Sequence, residues 1–190
     1  MKNENYNAFR VLGKRVEGGI YTAVEAWCEN QAAAKAQYGP IASWDTSEIT
    51  DMSHLFFANA GFNEDLSRWD VSNVTSLEHT FDGATSFNGD LSRWDVSNVV
   101  HLHATFRLAT SFNGDLSCWD VRQVTDMRSM FEGATSFDRQ LGGLWPESTA
   151  RVRTVSFYDF GPPYGASYMF FNCPGGSIEG KTNDATGTPS

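Results

Sequence analysis

The feature that most constrains this chain is a 25-residue pattern that occurs four times within residues 41–141. A tryptophan followed by an aspartate recurs at this interval, and phenylalanine and leucine recur with it. The pairs are Trp44–Asp45, Trp69–Asp70, Trp94–Asp95 and Trp119–Asp120, and one phenylalanine series is Phe56, Phe81, Phe106 and Phe131. A unit of this size cannot bury its own apolar face, so the fixed period predicts supersecondary units that stack on one another.

Two periodicities alternate inside each copy. Apolar and polar residues alternate around Trp69 and Val71, which predicts a short strand. Between Val74 and Ala84 the apolar positions are three or four residues apart, which predicts a short helix that Gly83 ends in a left-handed conformation. A polar loop then returns the chain. The sequence predicts an α/β solenoid of about four coils, each with a short parallel strand, a short helix and a return loop.

The segments outside the repeat divide the chain into four parts. Residues 1–40 are predicted to be an N-terminal helical cap, 41–141 the solenoid, 142–173 a C-terminal cap and 174–190 a disordered tail rich in Gly, Ser, Thr and Asn. In the N-terminal cap we expect one helix from Ala23, capped by Thr22, and a second that Asn30 caps and Gly39 ends.

The repeat register fails after Leu141. Trp145 falls one position beyond the place that the repeat assigns to the next tryptophan after Trp119, and a proline follows it. A fifth strand is therefore expected to be altered or absent. Residues 151–160 alternate in part and are a candidate closing strand. An aromatic cluster is expected to cover the last coil. Its members are Tyr164, Tyr168, Phe170 and Phe171.

Charge and composition exclude some functions. The net charge is -9, which disfavours nucleic-acid binding and favours a basic partner or self-repulsion. We find no run of 18 apolar residues, so no membrane span is expected, and the N-terminus shows no secretion signal. The three cysteines are too scattered for a disulfide framework or a metal knuckle.

Two polar ladders are the first candidates for ligand chemistry. Asp45, Asp70, Asp95 and Asp120 are expected to accept backbone N–H bonds at the corner after each tryptophan, although calcium between them is a minor alternative. Arg68 and Arg93 are placed to offset the charge of this ladder. The return loops carry a second ladder, for which a glycan or a cation is again the minor alternative. Its members are Asn63, Asn88, Asn113, Asp65, Asp90 and Asp115.

The variable positions of the predicted helices are the candidate interface. His54 and His79 share one repeat position and should be neighbours, whereas His101 and His103 differ by two and should point apart on a helix, so no zinc site is expected. Phe57 is aromatic where the other copies are polar, so it either meets the N-terminal cap or lies in an interface. The candidate interface residues are Phe57, His54, His79, His101, His103, Arg107, Arg68 and Arg93.

The segment from Phe112 to Phe131, which begins Phe-Asn-x-Asp-Leu-Ser-x-Trp-Asp-Val, resembles the BspA-like leucine-rich-repeat surface proteins, a repeat domain of unknown function in bacteria and in algae and other protists. The resemblance covers residues 20–141. It implies a right-handed leucine-rich-repeat-like solenoid that binds other molecules, often at a cell surface. It implies no enzymatic activity, no cofactor and no agreed ligand.

Two functions follow as expectations. The first is a non-catalytic protein–protein interaction or structural module, which includes a subunit of a larger assembly. The alternative is an adhesin-like module that binds glycan or a cation through the return-loop ladders. We find no nucleophile elbow, phosphate loop or metal helix, so no enzyme is expected. The compartment is left open between the cell surface that the resemblance implies and an organellar or intracellular assembly.

Overall fold

The computed structural model describes residues 19–152, 169–173, 175–180 and 188–189. Its helices are α1 (Ile20–Glu29), α2 (Gln31–Tyr38) and α3 (Trp145–Val152), with a 3-10 turn at Ile41–Ser43 between α2 and the repeats. The strands are β1 (Gln140–Leu141) and β2 (Ser177–Ile178), which pair in parallel.

The repeats are built from consecutive turns that stack in register. We divide them, from each tryptophan onward, into residues 44–68, 69–93, 94–118 and 119–143. Parallel bridges join equivalent residues of successive repeats, from Asp51 to Ser76, His101 and Asp126. Each repeat therefore lies directly against the next.

The predicted helix between Val74 and Ala84 is not present, although its apolar positions are buried as expected. The backbone N–H groups of His79 and Phe81 donate to His103 and Thr105 in the next repeat, whereas that of Thr80 donates to Leu77. Every second backbone N–H thus donates to the next repeat. Since these groups cannot also donate to the carbonyl four residues earlier, consecutive helical hydrogen bonds cannot form. The turns keep the spacing of a helical stripe without being helical.

The left-handed conformation predicted for Gly83 is confirmed, with φ of 73°. The equivalent positions in the other repeats are Ala58, Leu108 and Gly133, which also have positive φ. Two of these carry a side chain that is disfavoured in that region.

Aromatic stacks form the core. The rings of Phe56, Phe81, Phe106 and Phe131 stack with centroids 5.4–5.6 Å apart. Each tryptophan after Trp44 donates its indole N–H to a backbone carbonyl 28 or 29 residues earlier in the chain, as Trp94 does to Leu66 at 3.0 Å. The ladders are thus held by burial and by buried hydrogen bonds.

The N-terminal helices cover the first repeat, with one boundary different from the prediction. α1 begins at Ile20 with Gly19 before it, and no side chain caps it, so Thr22 lies inside the helix. Asn30 caps α2 as predicted, since its side chain accepts the Ala33 N–H at 3.1 Å. The Trp27 ring meets Trp44 edge-on at 5.7 Å, which joins α1 to the tryptophan ladder.

The ladders continue beyond residue 141. Trp145 is fully buried and its indole donates to Leu116 at 2.9 Å, as the earlier tryptophans do to their own neighbours. Phe170 stacks on Phe131 with centroids 5.4 Å apart, which confirms that part of the predicted aromatic cover. Tyr164 and Tyr168 lie outside the described residues.

The predicted C-terminal strand and tail are only partly described. Residues 151 and 152 belong to α3 rather than to a closing strand, and residues 153–160 lie outside the described part. The prediction of a disordered tail is wrong for Ser177 and Ile178, because β2 pairs with β1 and Ile178 is buried. Their backbone pairs with Gln140 and Leu141 at the end of the last repeat.

Replacing Trp94 by alanine should cost about 3–5 kcal/mol of folding free energy, because a large buried side chain is removed. Trp94→Phe keeps a ring but leaves the Leu66 carbonyl without its donor, and should cost about 1–3 kcal/mol. The exposed neighbour Arg93 provides the control, since Arg93→Ala should stay within about 0.5 kcal/mol. Urea denaturation followed by circular dichroism measures all three. Equal stability of Trp94→Ala and Arg93→Ala would place the indole outside the core.

Replacing Ala58 by glycine should stabilise the fold by about 0.5–1 kcal/mol. The substitution removes the energetic cost of a left-handed alanine, and this gain exceeds the loss caused by the greater conformational freedom of glycine in the unfolded chain. The same substitution at Ala36, an exposed position of α2, should destabilise by about 1 kcal/mol. Thermal unfolding of the two variants should therefore shift in opposite directions. A lower melting temperature for Ala58→Gly would contradict the strain at this turn.

Candidate functional site

One edge of the repeat array carries most of the candidate interface residues. We call it the histidine edge and define it by His54, Phe57, His79, His103 and Arg107. The rings of His54 and His79 stack with centroids 4.7 Å apart, which confirms that this repeat position makes them neighbours. The ring of His103 lies 4.9 Å from that of His79. The edge is continuous from the first repeat to the third.

Phe57 is the most exposed large apolar residue of the described chain, with 52% of its surface accessible. Its ring lies 5.6 Å from His54 and 6.2 Å from His79, both edge-on. A groove of about 400 Å³ separates it from α1. The groove is lined by Tyr21, Val24, Glu25, Cys28, Glu29, His54, Leu55, Phe56, Phe57 and Asn59. Phe57 therefore faces the N-terminal cap across an open groove rather than packing into it.

A buried carboxylate anchors the middle of the histidine edge. Asp82 is only 2% exposed, and its Oδ2 lies 2.7 Å from Nδ1 of His79 and 3.3 Å from Nη1 of Arg107. Nε of Arg107 lies 3.7 Å from Glu132 in the next repeat. A buried carboxylate needs such partners, because leaving it unpaired in the interior is costly. Asp82 thus fixes both His79 and Arg107 in place.

A second carboxylate lies beside His103. Oδ2 of Asp126 lies 3.8 Å from Nδ1 of His103, and Arg128 donates to Oδ1 of Asp126 at 2.9 Å. Burial opposes ionisation of Asp126, but His103 and Arg128 more than offset it, and the pKa of this carboxyl lies well below its ordinary value. Nδ1 of His103 is buried and makes no hydrogen bond.

Three potential metal ligands converge on the edge. One ligand atom each from Glu78, His79 and His103 lies within 4.8 Å of the others. The side chains of His79 and His103 are 20% and 25% exposed, and their rings are in contact range. The sequence analysis paired His79 with His54 and compared His103 with His101, so it did not predict this convergence. In a stack of such repeats Glu78 and His103 are equivalent positions and must be adjacent.

The other candidate interface residues do not join this group. His101 is exposed and lies in the bridged row between Ser76 and Asp126. Arg68 and Arg93 are exposed beside Asp65 and Asp90 in the return loops. The pKa of Asp65 is lowered first by the hydrogen bonds from Ser67 and to a smaller extent by Arg68. The sequence predicted that these arginines offset the charge of the Trp–Asp ladder. In the structure their electrostatic effect is on Asp65 and Asp90 of the return loops instead.

Both polar ladders hydrogen-bond the backbone, as expected. Asp70 accepts the backbone N–H of Ser72 at 3.0 Å, and the equivalent aspartates do the same. Oδ1 of Asn63 accepts the N–H of Asn88, and Asn88 and Asn113 continue the series. Asp65, Asp90 and Asp115 each accept the N–H of the serine two residues later. These side chains hold the turns together.

Asp82, Asp126 and Glu78 are the site residues that the sequence analysis missed. Each appeared as one more polar residue on a predicted helical face. The signal that was available is the repeat position itself, since aligning the four copies on their tryptophans places Glu78 beside His103. Among the described residues, none of the helices has the length and apolar character needed to cross a bilayer.

Replacing Asp126 by asparagine should destabilise the fold at neutral pH, because the folded structure lowers the pKa of this carboxyl and so stabilises its ionised form. A depressed folded pKa contributes stability above the ordinary carboxyl value of about 3.9, and this contribution is lost as the pH falls through and below that value. The difference in urea midpoint between wild type and Asp126→Asn should therefore shrink below about pH 4. Asp51→Asn, at the equivalent exposed position of the first repeat, is the control. A difference that is constant from pH 7 to pH 3 would contradict the assignment.

Residues 25–145 match the family model DUF285, described as a Mycoplasma protein of unknown function. The match begins within α1, includes all four repeats and ends at Trp145, where the indole ladder also ends. Comparison with curated proteins and with solved structures gave no match. Since the matched segment covers well over half of the sequence, the chain belongs to the DUF285 family of proteins of unknown function.

Proposed function

We propose that this protein is a non-catalytic protein-interaction module, built as a right-handed solenoid of the leucine-rich-repeat type, that binds a partner at the groove between α1 and Phe57. The single observation that carries this proposal is the exposure of Phe57, at 52%, beside that groove. The parallel bridges and the stacked aromatic rings support the solenoid assignment.

The repeat positions explain why Phe57 points to binding. In the other repeats the same position is Asp82, Arg107 and Glu132, which are charged and pair with one another across the edge. Phe57 has no such role in folding, and more than half of its surface stays in contact with water. An exposed aromatic residue next to a concave apolar surface is typical of an interface anchor, because burying it on binding releases apolar area from water.

The charge around the groove favours a basic partner that presents an apolar side chain. Glu25 and Glu29 of α1 line one wall of the groove, and the whole chain carries a net charge of -9. Such a field attracts basic partners and accelerates their association at low ionic strength. A subunit of a larger assembly would use the same surface, and the resemblance to BspA-like surface proteins is consistent with a partner at the cell exterior.

The alternative function, glycan or cation binding through the return loops, gains no support. The Oδ1 atoms of Asn63, Asn88 and Asn113 accept backbone N–H groups, and those of the neighbouring aspartates do likewise. These oxygens are committed to the turns. We therefore place the partner site at the groove.

Replacing Phe57 by serine should weaken partner binding by about 30-fold or more, as loss of a central aromatic anchor commonly does. Leu108→Ser is the matched control, because Leu108 is also exposed, at 43%, but does not line the groove. Size-exclusion chromatography of native extract isolates the protein with its bound companion, and mass spectrometry identifies the companion. The dissociation constant of that companion is then measured with the wild type, Phe57→Ser and Leu108→Ser.

The same titration is repeated at low and high salt, where an acidic groove should lose affinity for a basic partner as salt rises. Equal affinity of wild type and Phe57→Ser would place the interface elsewhere. Equal loss with Leu108→Ser would mean that general exposure, rather than the groove, governs binding.

A further inference from the structure

Glu78, His79 and His103 are brought together by the stacking of the second and third repeats. The backbone N–H of His79 donates to the carbonyl of His103 at 2.9 Å, so the two residues are fixed on adjacent coils. Oε1 of Glu78 lies 3.9 Å from Nε2 of His79, and one ligand atom from each of the three residues lies within 4.8 Å of the others. Two imidazoles and a carboxylate are therefore grouped without a hydrogen bond between their converging atoms.

The orientation of His79 is set by the buried carboxylate behind it. Nδ1 of His79 lies 2.7 Å from Oδ2 of Asp82, which is 2% exposed and cannot turn to solvent. A neutral His79 ring then carries its proton on Nδ1, and the lone pair of Nε2 points toward Glu78. This is the arrangement by which a carboxylate orients a metal-binding histidine, fixes its tautomer and makes it a better ligand.

His103 has the same kind of neighbour. Its Nδ1 is buried, makes no hydrogen bond and lies 3.8 Å from Asp126. With Nδ1 facing this carboxylate, Nε2 is the ring nitrogen that is left to bind a ligand. Nδ1 of each histidine thus lies close to an aspartate carboxylate.

The local charge favours a cation. Four carboxylates surround the group, and two guanidinium groups offset half of them. The acidic residues are Glu78, Asp82, Asp126 and Glu132, and the basic residues are Arg107 and Arg128. The guanidinium groups bind the rear carboxylates, which leaves Glu78 on the side of the cluster. A divalent ion would neutralise the excess.

We propose that Glu78, His79 and His103 form a zinc-binding site that links the second repeat to the third. Two imidazoles and one carboxylate are a donor set that zinc takes readily, with a fourth position for water or a partner's side chain. Tetrahedral zinc with bonds of 2.0–2.1 Å spaces its ligands about 3.3 Å apart, so the group must contract. The Glu78 side chain, 43% exposed, has room to make that movement while Asp82 holds His79 in place.

The test is a zinc titration of the untagged, chelator-treated full chain by isothermal calorimetry, in a Cys28→Ser, Cys118→Ser background that removes the exposed thiols. The proposal expects one zinc per chain. Glu78→Gln and His103→Gln should each weaken binding at least about tenfold, and Asp82→Asn about 10–100-fold through loss of the carboxylate behind His79. His101→Gln, at an exposed histidine outside the ligand group, should leave the affinity unchanged.

Two further readouts separate this site from other zinc binding. In NMR spectra the imidazole resonances of His79 and His103 should shift on adding zinc, and those of His101 should not. The melting temperature should rise with zinc in the parent background and not in Glu78→Gln, a conservative change at an exposed side chain that keeps the fold intact for comparison. Absence of stoichiometric binding, loss of binding in the background that lacks Cys28 and Cys118, or equal affinity of Glu78→Gln and its parent would each overturn the proposal.

Discussion

The backbone hydrogen bonds between repeats are the interaction on which the rest of the structure depends. In residues 77–83 every second N–H donates to a carbonyl of the next repeat, and the intervening ones close turns within their own repeat. This alternation places identical side chains one above another, so the phenylalanine rings stack at 5.4–5.6 Å. Packing and hydrogen bonding thus specify the same register, which leaves little room for slippage.

The same register creates the histidine edge. Equivalent positions of successive repeats must be neighbours. Where the residue at such a position differs between repeats, unlike side chains are therefore brought into contact and can form ion pairs or a ligand group. Asp82 is buried where Phe57 is exposed, and its charge is met by His79 and Arg107 from its own and the next repeat. The core residues are nearly the same in every repeat, whereas the residues of the histidine edge differ from repeat to repeat. The histidine edge therefore gives this protein its specific surface.

Much of the core could be predicted from the sequence, because period and burial are directly linked. Trp94, Phe81 and Leu91 recur at the 25-residue interval, and all three are buried. The predicted helices were wrong because a spacing of three or four residues describes which side chains face inward, and turns bonded to the next repeat satisfy it as well. That error hid the convergence of His79 and His103. Phe57 was found because it breaks the pattern of its position.

The C-terminal ladder shows what the array tolerates. The N–H of Phe106 donates to Met130 in the adjoining repeat, whereas that of Phe131 donates to Met169, across a longer stretch of chain that contains α3. Closing the longer loop costs only about 0.4 kcal/mol more by chain statistics, less than the stacking of Phe170 on Phe131 returns. Geometry at the end of the array is therefore nearly independent of the length of chain that leads to it. Additional residues can therefore be inserted at this point, in evolution or by design, without disturbing the preceding repeats.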